Sequence, residues 1–144
     1  MILYSKQGII LPSQDKTNIA LPLTVPNGIK EIKIKYSYSP KTVEDSAAAE
    51  KAVVEGMKKY NVPLDDVNRF LPVSNLITLS FDDPDGYRGA CHRQPNKQLI
   101  TIGQNSTPGI FNRKITAGEW RIVLNVHYAG RKIHYSVEAE GVSE

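Results

Sequence analysis

The chain has 144 residues, with 18 Lys and Arg against 15 Asp and Glu for a formal charge of +3, and a single cysteine, Cys91. That length makes about one domain, able to bury roughly two-thirds of the surface its unfolded chain exposes, and one cysteine excludes an internal disulfide and a thiol-based zinc site. The basic residues are spread among acids, and in the densest run, KEIKIK (Lys30 to Lys35), the lysines alternate with Ile32 and Ile34 as on the solvated face of a strand. Nucleic acid is therefore not an expected partner.

The opening MILYSKQGIILPSQDK is interrupted by Lys6 and Gly8 and never builds the apolar run of a signal peptide. No later stretch approaches the roughly 18 apolar residues of a membrane span. The expected location is the cytoplasm, with no membrane partner.

Alternation of apolar and polar residues, the mark of a strand with one buried face, recurs along the chain. Ile19, Leu21 and Leu23 alternate ahead of the turn candidate Val25-Pro26-Asn27-Gly28. Ile29, Ile32, Ile34, Tyr36 and Tyr38 mark the next strand, and the two together read as a hairpin. TVEDSAAAEKAVVEGMKKY, Thr42 to Tyr60, breaks the pattern. It has Thr42 as N-cap, Asp45 three residues on, alanines inside and Lys58-Lys59 at its end, which predicts a helix. Val62-Pro63 ends it, and LDDVNRFL adds a short helical turn, so the helical insertion spans about 42–70.

Beyond it, LITLSF (Leu76 to Phe81), QLITI (Gln98 to Ile102), WRIVLNVHY (Trp120 to Tyr128) and KIHYSVEA (Lys132 to Ala139) read as strands. Ala129-Gly130-Arg131 reads as a short hairpin turn between the last two. Several strands with one inserted helix near 42–60 predict an all-β fold: an antiparallel two-sheet β-sandwich, jelly-roll or immunoglobulin-like, filling residues 1–144 as one domain.

The densest chemistry lies in FDDPDGYRGACHR, Phe81 to Arg93. Asp83-Pro84-Asp85-Gly86 sets a fixed φ and a permissive one where a tight turn needs them, with aspartates able to accept the turn's own N–H groups. A calcium loop needs a carboxylate where Cys91-His92-Arg93 stand. Cys91 and His92, adjacent on a strand, point to opposite faces and do not form a nucleophile and base. Arg88 either lies over a neighbouring aromatic, pairs with an aspartate of its own turn, or contacts a ligand.

His127 and His134, read as paired hairpin residues, approach each other or His92, but three histidines without a clustered carboxylate make a thin metal site. Trp120 is expected in the core. Tyr36 and Tyr38 line a sugar-binding surface or cover a sheet edge. With no Gly-x-Ser-x-Gly elbow and no phosphate-cradling glycine loop, the sequence carries no enzyme signature, and neither a cofactor nor a metal is expected.

The order LITLSFDDPDGYRGACHR, then TPGIF (Thr107 to Phe111), then AGEWRIVLNVHY (Ala117 to Tyr128), resembles the amino-terminal β-sandwich that precedes the metal-dependent hydrolase domain in bacterial proteins of the polymerase-and-histidinol-phosphatase (PHP) superfamily. The opening LPLTVPNGIKEIKIKYSYSP resembles their first hairpin. The His-x-His and carboxylate clusters of the hydrolase domain have no counterpart in these residues, so the resemblance implies a noncatalytic accessory or interaction module and transfers no catalytic residue. Its implied partner is a metal-dependent hydrolase. The alternative is a ligand-binding sandwich for carbohydrate or an anionic small molecule, with Arg88, His92, Arg93 and His127 as the candidate binding residues.

Overall fold

The computed structural model describes residues 1–40, 42–43, 73–91 and 97–144. The strands among them are β1 (Ile2–Ile10), β2 (Asn18–Val25), β3 (Ile29–Ser39), β4 (Thr42–Val43), β5 (Val73–Ser74), β6 (Leu76–Asp83), β7 (Gly86–Cys91), β8 (Lys97–Ile102), β9 (Gly118–Tyr128) and β10 (Ile133–Ser143). They build two four-stranded sheets, ordered β1-β10-β3-β8 and β2-β9-β6-β7, and the small pair β4-β5.

The pairing is nested: β1 with β10, β2 with β9, β3 with β8 and β6 with β7, all antiparallel. A chain paired in this way is one long hairpin rolled up, and it makes a two-sheet jelly roll. The strand order is not that of an immunoglobulin sandwich.

Rolling corrects two of the sequence-based expectations. β2 and β3 flank the Pro26-Asn27-Gly28 turn but belong to different sheets, as do β9 and β10 around Gly130, so neither pair is a hairpin. Alternation identifies strands yet does not say whether the chain reverses within a sheet or crosses to the other one. β6 and β7, joined through Pro84-Asp85, do pair locally.

The core lies between the sheets and is filled by alternate residues of each strand, among them Ile32 and Ile34 of β3, Leu79 and Phe81 of β6, Ile122 and Leu124 of β9, and Val137 of β10, each at most 2 % exposed. Burying one such side chain contributes about 1.5–3 kcal/mol. Trp120 joins this core, as expected. Tyr36 and Tyr38 do too, which corrects the expectation of a sugar-binding surface or an edge cover. Their hydroxyls donate to the carbonyls of Ile77 at 3.0 Å and Asn75 at 3.3 Å. Burial, with Tyr38 adding to it, pushes the Tyr36 phenol well above its ordinary range, so it stays a neutral donor.

The helix expected from Thr42 to Tyr60 falls almost wholly outside the described residues. Its first two, Thr42 and Val43, are strand and pair with Ser74 and Val73, so Thr42 is not an N-cap. β1 is a strand the sequence did not announce: it lies at a sheet edge, is irregular between Ile2 and Tyr4, and exposes Ser5, Lys6 and Gln7 in a row, which hides the period of two.

Candidate functional site: a buried arginine and the rim around it

The three motifs of the sequence meet at one end of the sandwich. β6 ends at Asp83, whose Oδ1 accepts the Asp85 N–H at 2.8 Å and so closes the turn into β7. Arg88, two residues into β7 from the turn, points inward and is 0 % exposed. The segment from 103 to 117, which joins β8 to β9, wraps around it.

Each of the five guanidinium N–H groups of Arg88 has an acceptor. Nε donates to Phe111 O at 3.1 Å. Nη1 donates to Asp83 Oδ2 at 3.1 Å and Lys114 O at 3.3 Å. Nη2 donates to Arg113 O at 2.6 Å and Gly103 O at 3.4 Å. The cation also lies 5.6 Å from the ring centroid of Trp120, whose Nε1–H donates to Thr116 O at 2.8 Å. A long segment without regular structure must place its carbonyl groups somewhere, and here one side chain takes four of them.

The backbone locks the same region. Ala90 N–H donates to Gly109 O at 3.1 Å, and Phe111 N–H donates to Arg88 O at 3.0 Å, so residues 109–111 run along the outer edge of β7. This approach requires glycine twice: Gly89 and Gly109 have φ of +140° and +99°, and a Cβ on Gly89 would lie 2.5 Å from Gly109 O. The spacing of Gly-Tyr-Arg-Gly and Thr-Pro-Gly in the sequence thus has a steric cause.

On the outside of this lock, Tyr87 and Phe111 pack edge to face with centroids 6.1 Å apart, and they are 56 % and 53 % exposed. Arg113 covers Phe111, its Cζ 5.6 Å from the ring centroid, and it also reaches Asp83 Oδ2 at 3.5 Å.

The other sequence-predicted residues do not gather here. His92 and Arg93 lie outside the described residues. His127 is exposed on the outer face of the β2-β9-β6-β7 sheet, where its Nε2 lies 2.9 Å from Thr78 Oγ1. Thr78 Oγ1 also accepts from Asn125 Nδ2 at 3.3 Å, and Asn125 Oδ1 accepts from Ser80 at 3.4 Å. His134 is on β10 in the opposite sheet, so the expected approach of His127 and His134 does not occur.

Among the described residues no three of His, Cys, Asp and Glu come together as metal ligands. Cys91 is buried, and burial pushes its thiol up, away from the reactive thiolate. Of the three roles open to Arg88 in the sequence, the structure combines two, the aspartate pair and the aromatic contact, and leaves no N–H for a ligand. What the sequence could not supply was the four carbonyl partners, which carry no residue-type signal at all.

Among the described residues no helix is long and apolar enough to cross a membrane. No protein-family model matches the chain, and no curated protein matches it.

Proposed function

We propose that the chain is a noncatalytic recognition module, an accessory β-sandwich that works beside a metal-dependent hydrolase of the PHP type. The observation that carries this reading is the saturation of Arg88. Among its described residues the stretch with the densest chemistry uses Arg88, the buried Asp83 carboxylate and Gly89 to fix a loop, and Tyr87 stays on the surface, packed on Phe111 of that loop beside Arg113. Exposed aromatics and arginine on a rigid frame are the composition of a protein-binding hot spot.

The test is co-production with a PHP-type hydrolase domain followed by size-exclusion chromatography, alongside a phosphoesterase assay of the purified chain with Mn²⁺ or Zn²⁺. Co-elution that Tyr87→Ala with Phe111→Ala weakens, and no turnover by the chain alone, is the expected result. Metal-dependent turnover lost in His127→Ala would overturn it.

The ligand-binding alternative has one observation in its favour, the hydrogen-bonded row Ser80, Asn125, Thr78 and His127 on an outer face. It would take a small polyhydroxylated or anionic molecule. A shift of the His127 ring signals on titration with an oligosaccharide or with inorganic phosphate is its readout.

A further inference from the structure

An asparagine side chain is chemically labile, because the backbone nitrogen of the next residue can attack its carboxamide carbon. The attack needs an N–H that no acceptor holds, room for the peptide to turn, and no bulky side chain on the attacking residue, a condition that glycine meets best. The fold decides which asparagine satisfies all three.

Asn18, Asn27, Asn75, Asn105, Asn112 and Asn125 are the described asparagines. Asn75 is buried, and its side-chain amide donates to Pro40 O at 3.0 Å. The N–H groups that follow Asn112 and Asn125 are taken, Arg113 N–H by Gly103 O at 3.0 Å and Val126 N–H by Thr17 O at 2.9 Å. Asn18 lies in β2, in register with Asn125, and the branched Ile19 follows it. Asn105 is exposed and followed by a small residue, yet Ser106 N–H donates to Asn112 Oδ1 at 2.7 Å.

Asn27 is under none of these restraints. It is exposed at the crossing from β2 to β3, and Gly28 follows it. Among the described residues neither its carboxamide nor the Gly28 N–H has a hydrogen-bond partner. A Cβ on Gly28 would meet nothing within 4 Å, so the peptide between the two residues has room to rotate.

We propose that Asn27 is a site of self-modification in the folded chain, where it deamidates to aspartyl and isoaspartyl forms. Gly28 N gives its proton to a solvent base and attacks Asn27 Cγ. The N–Cγ bond forms, the Cγ–Nδ2 bond breaks, and Nδ2 leaves as ammonia with a proton from water, which gives a cyclic imide. Water then opens the ring at either carbonyl. Cleavage of N–Cγ leaves an aspartyl residue, and cleavage at the main-chain carbonyl carbon leaves an isoaspartyl residue, with the chain routed through Cβ and Cγ. Water enters, ammonia leaves, and nothing is oxidised or reduced.

Either product carries a carboxylate and so lowers the formal charge of +3 by one. The isoaspartyl form also adds a carbon to the main chain just before Gly28, whose carbonyl accepts the Glu144 N–H at 3.0 Å, so that bond is the first contact it disturbs. The crossing lies at the Arg88 end of the sandwich: Val25 is in register with Gly118, and a Cβ on Gly118 would stand 3.0 Å from Cγ of Pro84. The inference does not depend on the recognition-module reading.

The experiment is incubation of the purified full chain in mildly alkaline buffer, with samples taken for ion-exchange chromatography and for peptide mapping by mass spectrometry. A more acidic species should grow in, with the peptide holding Asn27 modified and the peptide holding Asn105 intact. Part of the product should accept a labelled methyl group from S-adenosylmethionine through an isoaspartyl methyltransferase. Asn27→Gln, whose longer side chain closes the ring far more slowly, should abolish modification of that peptide at an unchanged melting temperature. Gly28→Ala should slow the reaction, and since φ at Gly28 is +87° its folding is checked in the same melt. If Gly28→Ala does not fold, Asn27→Gln still decides.

An intact Asn27 in the folded chain overturns the inference; reaction there only after unfolding in urea would show that the turn holds the reacting groups apart. Deamidation of Asn105 as fast as that of Asn27 overturns it too, as does modification of the same peptide that survives Asn27→Gln.

Discussion

Asp82 and Asp83 are neighbours on β6, and each pairs with an arginine at 3.1 Å, yet the two pairs are different physical objects. Strand alternation sends their side chains to opposite faces. Asp82 meets Arg121 on the outer face, with side chains 25 % and 61 % exposed, while Asp83 meets Arg88 inside, at 1 % and 0 %. The outer pair exchanges with water and is screened by salt. The inner pair is desolvated, and it is tolerable because every N–H of the guanidinium has an acceptor and Asp83 also accepts the Asp85 N–H. The comparison teaches that the same residue types at the same distance hold a fold together or merely decorate it, according to which face of the strand they occupy.

The strongest way to break the inner pair is Arg88→Ala. It leaves the buried Asp83 carboxylate with only the half-exposed Arg113, 3.5 Å away, and the Asp85 N–H, and it removes the donor from four loop carbonyls, so it should cost about 3–5 kcal/mol, a large part of the stability of a domain this size. Urea unfolding measures it, and a loss below about 1 kcal/mol would mean that the region relaxes and admits water freely. Arg88→Lys keeps the charge but offers three donors without the planar fork, so it should recover only part of the loss.

Asp83→Asn comes next. The amide oxygen can still accept the Asp85 N–H, so the turn survives while Arg88 loses its counter-ion, and a cost of about 3 kcal/mol follows from leaving one buried charge unpaired. Combining it with Arg88→Ala should cost clearly less than the sum of the two single changes, because both act on one pair.

How much of this was legible in the sequence follows from the same geometry. The tight turn at Asp83-Pro84-Asp85-Gly86, the strands β2, β3, β6, β8, β9 and β10 and the core place of Trp120 were readable because each is written in local residue preferences. That Arg88 pairs with an aspartate of its own turn was readable as one of three roles, but which aspartate was not: Asp83 is the one that faces inward with it. The jelly-roll crossings were not, because Pro26-Asn27-Gly28 and Ala129-Gly130-Arg131 have the residues of turns, and turn chemistry does not encode which sheet the next strand joins.

Backbone strain tests the frame rather than the charges. Gly86 has φ of +118°, but a Cβ there would meet nothing within 4 Å, so Gly86→Val should cost about 1 kcal/mol from conformation alone. Gly109→Ala should cost more, since its φ of +99° is joined by collision of the new Cβ with Ala90 O. Thermal melts of the two variants measure the difference, and equal losses would show that residues 109–111 can lift off the β7 edge without penalty.

The smallest effect belongs to the outer pair and sharpens the comparison most. Asp82→Asn leaves Arg121 in solvent, where water replaces the carboxylate, so the stability change should lie within about 0.5 kcal/mol and shrink further when salt is raised from low concentration to about 0.15 M, where the screening length is about 8 Å. The same salt series on Asp83→Asn should change its larger loss only in small part, because Asp83 and Arg88 are shielded from the ions and only the half-exposed Arg113, 3.5 Å from Asp83, meets them. Chemical denaturation of the unaltered chain and both variants in urea at two ionic strengths gives the four differences required. A salt-sensitive Asp83→Asn would mean that solvent reaches the guanidinium, and the structural role assigned to Arg88 would then give way to that of a residue open to ligands.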